Sequence, residues 1–308
     1  RWVGRAIDSV LAQEGVTVEV IVIDDGSTDG SVDVLRRYED HIHWETGPNR
    51  GACPARNRGL ALARADYVMF LDADDFLGPD LLVSMLRRIT ASGADCALAH
   101  VFDQSENGLM RQRPHPRTDH WRHLLEDWLL GAFVPPCGIL WRRPALQKIG
   151  GWDEKLRKNQ DGDLVYRAIL QGLTFCTNDD AHAVYWHHGG PRISSNISYE
   201  KLSDAFQVLR CLIEVLKERG ELTGSLRHAA SRSTHTLERR ACELRDPTLL
   251  KQVSDFRSFH DFPRYVGSLL HVGTSKMIGL RRKQRLSRIA NKLRRQLQDE
   301  SNAERLMK

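Results

Sequence analysis

Two clusters of acidic residues follow short apolar runs and are the first candidates for chemistry. Asp72 and Asp74 lie at the end of the apolar run 67–71, with one residue between them. In an extended segment, residues two apart point to the same side, so both carboxylates can face one ligand. Such hard oxygen ligands suit Mg²⁺ or Mn²⁺, which take one or two carboxylates together with phosphate oxygens. The spacing predicts metal or phosphate chemistry, with capping of the following helix as the alternative.

The other cluster, around Asp25, follows the β-branched run 18–23 and resembles the start of an EF-hand calcium loop. The twelfth position of such a loop carries a bidentate Glu, and here it is Arg36. A loop counted from Asp72 would have Val83 at that position. The pattern therefore excludes a calcium sensor at both clusters.

The elements that must position these acids alternate between strand and helix periodicity. Strands of four to eight residues separated by helices of ten to fifteen favour a parallel sheet covered by helices. Ligands of such sheets bind outside the carboxyl ends of the strands, where both acidic clusters lie. The sequence thus predicts an α/β fold with its site at that edge. The expected helices are 3–11, 54–64 and 79–88, and the expected strands are 18–23, 42–46, 67–71 and 96–101.

Strand patterns stop near residue 198, and apolar residues at helical spacing predict a helix over 202–216. We therefore expect a catalytic domain at 1–198 and a helical extension at 199–308. The tail 281–308 holds 10 Lys+Arg against 3 Asp+Glu, whereas the rest holds 35 against 37. A near-neutral body argues against a general nucleic-acid-binding surface. The basic tail is compatible with a solvated helix, a partner-helix contact or peripheral attachment to an anionic membrane.

Composition places the chain among soluble globular proteins. Its 308 residues are 41% hydrophobic and 28% charged, with a net charge of +5, which excludes a disordered or collagen-like chain. No apolar run reaches the ~18 residues that a membrane-spanning helix needs. The six cysteines lie 31 to 43 residues apart, which excludes zinc-ribbon and thioredoxin-like motifs. Reduced core cysteines and a cytoplasmic location are the resulting expectation.

The order of the motifs resembles glycosyltransferase family 2, which has the GT-A fold: a Rossmann-like, mostly parallel sheet. The resemblance covers roughly 1–198 and implies an inverting transferase acting in cell-surface polysaccharide or glycan synthesis. It would move a sugar from a nucleotide-diphosphate donor, expected to be UDP-linked, to a hydroxyl of a glycan or lipid-linked acceptor, with Mg²⁺ or Mn²⁺ as cofactor. The family normally begins one strand earlier, so the first strand is expected to be missing here. The matching segments are 22–29, 51–57, 70–75, 150–154 and 160–161.

On the donor side, the resemblance implies a role for five residues. Asp25 would accept from the N–H of a uracil-like base, since a carboxylate is an acceptor without a donor. Asp74 would ligate the metal directly, and Asp72 would face the ribose or the water shell of the metal. Arg56 and Asn57 would approach the nucleotide sugar. A surface position is the alternative for Arg56, because arginine is mostly exposed.

On the acceptor side, Asp161 is implied as the catalytic base, and its spacing to Arg167 matches the family. Gln160 stands where the family usually has Glu, but one carboxylate is enough to accept a proton. Asp163 lies ~200° further around a helix and cannot face the same site. The resemblance implies acceptor contacts at Trp152, Asp153 and Glu154. Packing in the core is the alternative for the tryptophan.

His187 and His188 precede a Gly/Ser-rich segment that resembles the closing element over the diphosphate. A neutral imidazole can ligate a metal, and an imidazolium can pair with phosphate. An ordinary hydrogen-bonding role is the alternative, and the sequence leaves open which of the two faces the site.

Two other functions compete with sugar transfer. Nucleotidyl transfer uses a similar fold with a Gly-rich triphosphate loop, and a catalytically silent nucleotide-sugar-binding module would keep the pocket without turnover. The A-R-N segment 55–57 and Asp161 favour sugar transfer over nucleotidyl transfer.

Overall fold

The structure, a computed structural model, describes residues 2–189 and 198–263. The basic tail and most of the Gly/Ser-rich segment lie outside these residues. The chain forms two compact units, of which the first comprises residues 1–230 and the second begins at residue 231. The domain boundary at residue 198 stays a prediction.

Helices and strands alternate through most of the first unit, as the sequence predicts. The helices are α1 (Val3–Leu11), α2 (Ser31–Arg36), α3 (Ala52–Leu62), α4 (Leu81–Ser92), α5 (Trp121–Leu129), α6 (Arg143–Lys148), α7 (Gln160–Leu170), α8 (Tyr199–Glu218), α9 (Gly224–Leu244) and α10 (Pro247–Phe259). The strands are β1 (Ile21–Asp24), β2 (His43–Thr46), β3 (Tyr67–Met69), β4 (Phe76–Leu77), β5 (Cys96–Ser105), β6 (Met110–Gln112), β7 (Ile139–Arg142) and β8 (Phe175–His187). A short 3-10 helix, Pro136–Gly138, precedes β7.

The described strands form a parallel pair, β1–β2, and a larger sheet in the order β3-β7-β5-β8-β4, with β6 added to β5. In the larger sheet, β5 and β8 are parallel and the other pairings are antiparallel. The α/β class is confirmed, but the larger sheet is mixed and not mostly parallel. Sequence periodicity misses the reversed strands because β7 and β4 have only four and two residues.

The strand directions explain why one edge of the larger sheet collects the functional side chains. Strands β3, β5 and β8 run the same way, because β7 is antiparallel to both β3 and β5. Their carboxyl ends therefore lie at one edge. Residues 70–75 connect β3 to β4, which stand at opposite ends of the strand order. The acidic segment 72–75 thus crosses the edge at which β5 and β8 end.

The core beneath this edge comes from a fully buried strand and amphipathic helices. In β5, residues 96–99 are fully buried, as expected for a strand covered on both faces. Helix α4 packs against β8. Its buried residues recur every four positions, which places them on one face of the helix: Leu81, Met85 and Ile89.

Among the described residues, no helix combines the length and the apolar character needed to cross a membrane. All six cysteines are free thiols. Four of them are buried, as predicted for core residues, whereas Cys211 is exposed and Cys242 is half-buried.

Gly78 at the end of β4 provides a test of the sheet. Its N–H donates to the carbonyl of His182 at 3.0 Å, and a Cβ at this position would lie 2.6 Å from the same oxygen. We expect Gly78→Ala to lower the free energy of unfolding by about 1–3 kcal/mol, because the backbone of β8 would have to move. Gly47→Ala is the matched control, since no atom lies within 4 Å of its added Cβ. Urea denaturation of both variants measures the difference, and equal stabilities would contradict the close approach.

Candidate active site

The segment that crosses the sheet edge presents two carboxylates outward and one inward. The side chains of Asp72 and Asp74 are 40% and 36% exposed. Asp75 is buried, and its Oδ1 accepts the backbone N–H of Trp186 at 2.9 Å. Burial and the charge of Asp72 raise the pKa of Asp75 to about 8. A protonated Asp75 therefore ties the segment to the end of β8 without adding a third negative charge.

Arg56, on α3, connects the acidic segment with the start of α7. Its Nη2 donates to Asp72 Oδ1 at 2.7 Å, and its Nη1 donates to Gln160 Oε1 at 3.2 Å. The guanidinium lies over the ring of Trp152 at 4.4 Å, and only 14% of the side chain is exposed. The structure thus rules out the surface position left open by the sequence.

The positive charge of Arg56 is stabilised by the acids around it. Burial alone would lower the pKa of Arg56, but the negative charges of Asp72 and Asp161 outweigh burial and raise it. A buried cation is stable only while compensating charges are present, and here Asp72 is paired with it and Asp161 lies close enough to act on it. Arg56 therefore joins the acidic segment and the start of α7 into one site.

Asp161 lies half-buried in the first turn of α7, close enough to feel the charges of Arg56 and Asp72. Burial raises the pKa of Asp161 to about 6, and the charge of Arg56 limits the rise. Asp163, by contrast, accepts from Arg167 Nη2 at 2.6 Å and from Nε at 2.9 Å. The two acids have different environments, as expected from their positions around the helix.

Gln160 has two hydrogen bonds that a glutamate could not make together. Its Oε1 accepts from Arg56, and its Nε2 donates to the carbonyl of Leu156 at 2.8 Å. An ionised Glu has no donor for that carbonyl and would add a charge next to Asp161. Gln160, in the place where the family usually has Glu, is therefore compatible with this site.

The side chains of Asn57 and Trp152 make their contacts with other residues of the protein. Asn57 Nδ2 donates to the Trp152 carbonyl and to Glu154 Oε1, both at 2.9 Å, and its Oδ1 accepts the Trp152 N–H at 2.9 Å. Trp152 is 3% exposed, with its ring edge-on to Phe70 at 5.2 Å. It offers no free aromatic face to an acceptor, so the core interpretation replaces the acceptor wall. Asn57 fixes this turn to α3, and its approach to a nucleotide sugar stays a prediction. Asp153 and Glu154 are exposed, and their acceptor role stays a prediction.

The two histidines at the end of β8 contact different acids. His188 Nε2 lies 3.1 Å from Asp74 Oδ2, whereas His187 Nε2 lies 2.7 Å from Asp103 Oδ1. Asp103 also accepts from Arg113 Nε at 2.9 Å. His188 is thus the histidine that faces the acidic segment, and His187 is not placed as a metal ligand.

Sequence reasoning missed Asp103 and Arg113. The positive charge of Arg113, like that of Arg56, limits the rise in the pKa of Asp161. This arginine therefore borders the site. It sits against Tyr185, with its guanidinium 4.6 Å from the ring centre. Neither residue belongs to a motif. Only the pairing of β5 with β8 brings Asp103 opposite Tyr185, and sequence spacing carries no signal of that pairing.

The residues present fit a divalent metal that is shared with a ligand. No group of three metal-binding side chains occurs in the described parts of the chain, so an all-protein metal cage is absent from them. Mg²⁺ on a diphosphate needs only one or two protein ligands, however. Asp74 Oδ2 and His188 Nε2 are 3.1 Å apart, which suits adjacent ligands of an octahedral ion, about 3 Å apart. The carboxylate of Asp72 is paired with Arg56, so Asp72 is left for an indirect contact with such a metal.

Asp25 holds the turn after β1 against the start of α3. Its Oδ1 accepts the N–H of Arg50 at 2.6 Å, and its Oδ2 accepts the N–H of Gly51 at 2.8 Å. The next residue, Gly26, has a φ of +77° and comes so close to Asn49 that a Cβ would lie 2.7 Å from its backbone nitrogen. Asp25 is therefore fixed in place, and its contact with a nucleobase stays a prediction.

Comparison with known proteins now decides the family. Residues 1–150 match the family described as Glycosyl transferase family 2. This part of the chain belongs to that family. The succinoglycan biosynthesis protein ExoO of Rhizobium meliloti is 44% identical over 195 residues, covering 59% of this chain and 56% of that protein. An uncharacterized glycosyltransferase of Nostoc sp. is 31% identical over 199 residues, covering 61% and 62%. The chain spans about three fifths of the length of these relatives.

Solved structures confirm the GT-A fold. Staphylococcus aureus TarS, residues 1–349 with UDP-GlcNAc, aligns with a TM-score of 0.62 at 18% identity, covering 85% of this chain and 78% of that one. The mannosyltransferase PcManGT of Pyrobaculum calidifontis, with GDP-Man and Mn²⁺, aligns with a TM-score of 0.50 at 15% identity, covering 90% and 75%. At these identities the likeness concerns the fold alone.

The raised pKa of Asp161 predicts a pH-dependent stability. With a folded-state pKa of about 6 against an ordinary 3.8, the protonated form stabilises the protein below about pH 4. That contribution is lost as the pH rises through 6, when a desolvated carboxylate ionises. We expect the stability of Asp161→Asn relative to the parent to increase between pH 5 and pH 8, by about 1–2 kcal/mol, because part of the contribution is already lost at pH 5. Urea denaturation at both pH values measures it.

Asp163→Asn is the control for this pH dependence. It removes an ion pair with Arg167 and should destabilise the protein at both pH values. If the relative stability of Asp161→Asn were the same at pH 5 and pH 8, the burial of an ionised Asp161 would be contradicted.

Proposed function

We propose that this protein is an inverting glycosyltransferase that moves a sugar from a nucleotide-diphosphate donor to an acceptor hydroxyl. The observation that carries the proposal is the bridge made by Arg56 between Asp72 and Gln160. Through this bridge, the acidic segment suited to a diphosphate lies beside a carboxylate suited to a base. Membership of glycosyl transferase family 2 over residues 1–150 supports the same reaction.

The donor is proposed to lie across the ends of β1 and β3. TarS with UDP-GlcNAc and PcManGT with GDP-Man support a nucleotide-diphosphate sugar as the ligand class. Within this class we favour a UDP-linked sugar, whose base N–H Asp25 would accept. The carboxylate of Asp25 already accepts two backbone N–H groups, but it has about four lone-pair sites and can accept a third.

Asp74 and His188 would hold Mg²⁺ or Mn²⁺ together with oxygens of the diphosphate. A metal bound there neutralises the charge that develops on the diphosphate leaving group. The Mn²⁺ in PcManGT supports a divalent metal as the cofactor. Arg56 keeps Asp72 beside the pair, directed at the ribose or at a water of the metal.

Asp161 would act as the general base. As the acceptor oxygen forms its bond to the anomeric carbon, its proton passes to Asp161, and the bond from that carbon to the diphosphate oxygen breaks. Attack from the face opposite the leaving group inverts the configuration. A pKa of about 6 leaves Asp161 ionised at neutral pH and still basic enough to take a proton in the transition state.

The acceptor class is proposed from the relatives. ExoO of R. meliloti is named for succinoglycan biosynthesis, which supports a glycan or lipid-linked acceptor in polysaccharide synthesis. A cytoplasmic location, with peripheral membrane contact through the tail 281–308, stays a prediction, and this tail lies outside the described residues.

Replacement of the base gives the sharpest test. A screen of UDP- and GDP-linked sugars, with water or added glycans as acceptors, first identifies the donor that is turned over. We expect Asp161→Asn to lower kcat by about 10²–10⁴-fold while calorimetry shows unchanged donor binding, because only proton acceptance is lost. Asp163→Asn, two residues away and paired with Arg167, should keep its turnover.

Equal activity of Asp161→Asn and the parent would contradict the base assignment. A parent that binds donors but turns over none would indicate a silent binding module.

Removal of the metal tests the second half of the site. We expect EDTA to abolish turnover and Mg²⁺ or Mn²⁺ to restore it, since the diphosphate would otherwise leave uncompensated. Asp74→Asn should require a higher Mn²⁺ concentration for half-maximal rate. Turnover that persists in EDTA would show that Asp74 and His188 serve another purpose.

A further inference from the structure

Three polar side chains, two on helix α1 and one just after its end, form a row that holds the backbone of the acidic segment and of the residues that follow it. Positions four apart lie on one face of a helix, and each of the three makes hydrogen bonds to that backbone. Arg5 Nη2 donates to the carbonyl of Asp74 at 2.9 Å, and Ser9 Oγ accepts the N–H of Leu77 at 3.1 Å. Gln13 Nε2 donates to the carbonyl of Gly78 at 2.9 Å, and Gln13 Oε1 accepts the N–H of Leu82 at 3.0 Å.

Arg5 is the member of this row nearest to the proposed metal pair, and aromatic rings surround it. Its guanidinium carbon lies 4.2 Å from the ring centre of Phe76, 4.3 Å from Trp186 and 5.3 Å from Trp2. Cation–π contacts of this kind favour arginine, whose planar group stacks on rings while its edge donates. The aromatic cage formed by Phe76, Trp186 and Trp2 therefore fixes the direction in which Arg5 Nη2 points. It thereby also fixes the position of the Asp74 carbonyl.

One ring of the same cage also contacts His188. The Trp2 ring stacks on the His188 imidazole, with centroids 5.8 Å apart and an angle of 28° between the planes. Trp2 also contacts Trp186 at 5.9 Å. The two groups proposed to hold the metal are thus both supported from α1 and the residue before it, one through its backbone and the other through its ring.

We propose that Arg5 is a positioning residue that sets the Asp74–His188 pair for a divalent cation. The inference rests on the proposed function, since it assumes that this pair binds the metal. It adds that metal affinity depends on a residue that does not touch the metal and precedes β1 in the chain. Residues that orient metal ligands typically change affinity by 10–100-fold when replaced.

The experiment measures Mn²⁺ binding by electron paramagnetic resonance with UDP or GDP present, in the full chain. Arg5→Met keeps an unbranched side chain against the rings but loses the donor and the charge, and we expect it to weaken Mn²⁺ binding by about 10–100-fold. Arg5→Lys keeps the charge without the planar group and should fall between Arg5→Met and the parent. Nucleotide affinity without metal should change little.

Gln13→Leu is the matched control from the same row. It removes two hydrogen bonds to the backbone of Gly78 and Leu82, so it should lower the urea midpoint at least as much as Arg5→Met. It should leave Mn²⁺ affinity unchanged. If Arg5→Met bound Mn²⁺ as the parent does, or if Gln13→Leu lost as much affinity, the positioning role alone would be overturned. A parent that binds no Mn²⁺ with either nucleotide would overturn the proposed metal site and this inference with it.

Discussion

The buried guanidinium of Arg56 is the interaction on which the arrangement of the site depends. It bonds to Asp72, which follows β3, and to Gln160, which opens α7, and these two residues are 88 positions apart in the chain. Without this cation, the negative charges of Asp72 and Asp161 would repel each other with no compensating charge from Arg56. Removing one partner of a buried charge network is costly because the remaining charges stay buried. Arg56 therefore makes the proximity of the acidic segment and Asp161 possible.

Other side chains limit the negative charge of the site. Asp75 has a pKa of about 8 and is neutral at physiological pH, and Gln160 stands where a glutamate would add a charge. Asp163 is removed from the site by its pair with Arg167. Asp72, Asp74 and Asp161 remain, of which Asp72 is paired with Arg56 and Asp74 lies beside His188. A divalent cation and a diphosphate together carry little net charge, so this balance is compatible with donor binding.

Sequence reasoning succeeds where function follows from the position of a residue at a strand end. The acids around Asp25 and Asp72 follow β1 and β3, as predicted, because strand runs and abrupt polar ends are visible in the sequence, although β1 belongs to a separate strand pair. It fails where residue type is ambiguous: Trp152 stands in a functional motif, yet its ring is buried in the core. It cannot find Asp103 and Arg113, because the short reversed strands and the pairing of β5 with β8 give no periodic signal.

The register of β8 decides which histidine serves the acidic segment. Asp103 is paired with Tyr185 across the parallel strands, so His187, two residues further, is its diagonal neighbour on the same face. The contact between His187 and Asp103, reinforced by Arg113, holds this face of β8 against β5. Because side chains alternate along a strand, His188 then points the other way, towards Asp74. A slip of one residue would exchange the two histidines, and the Asp103 network opposes that slip.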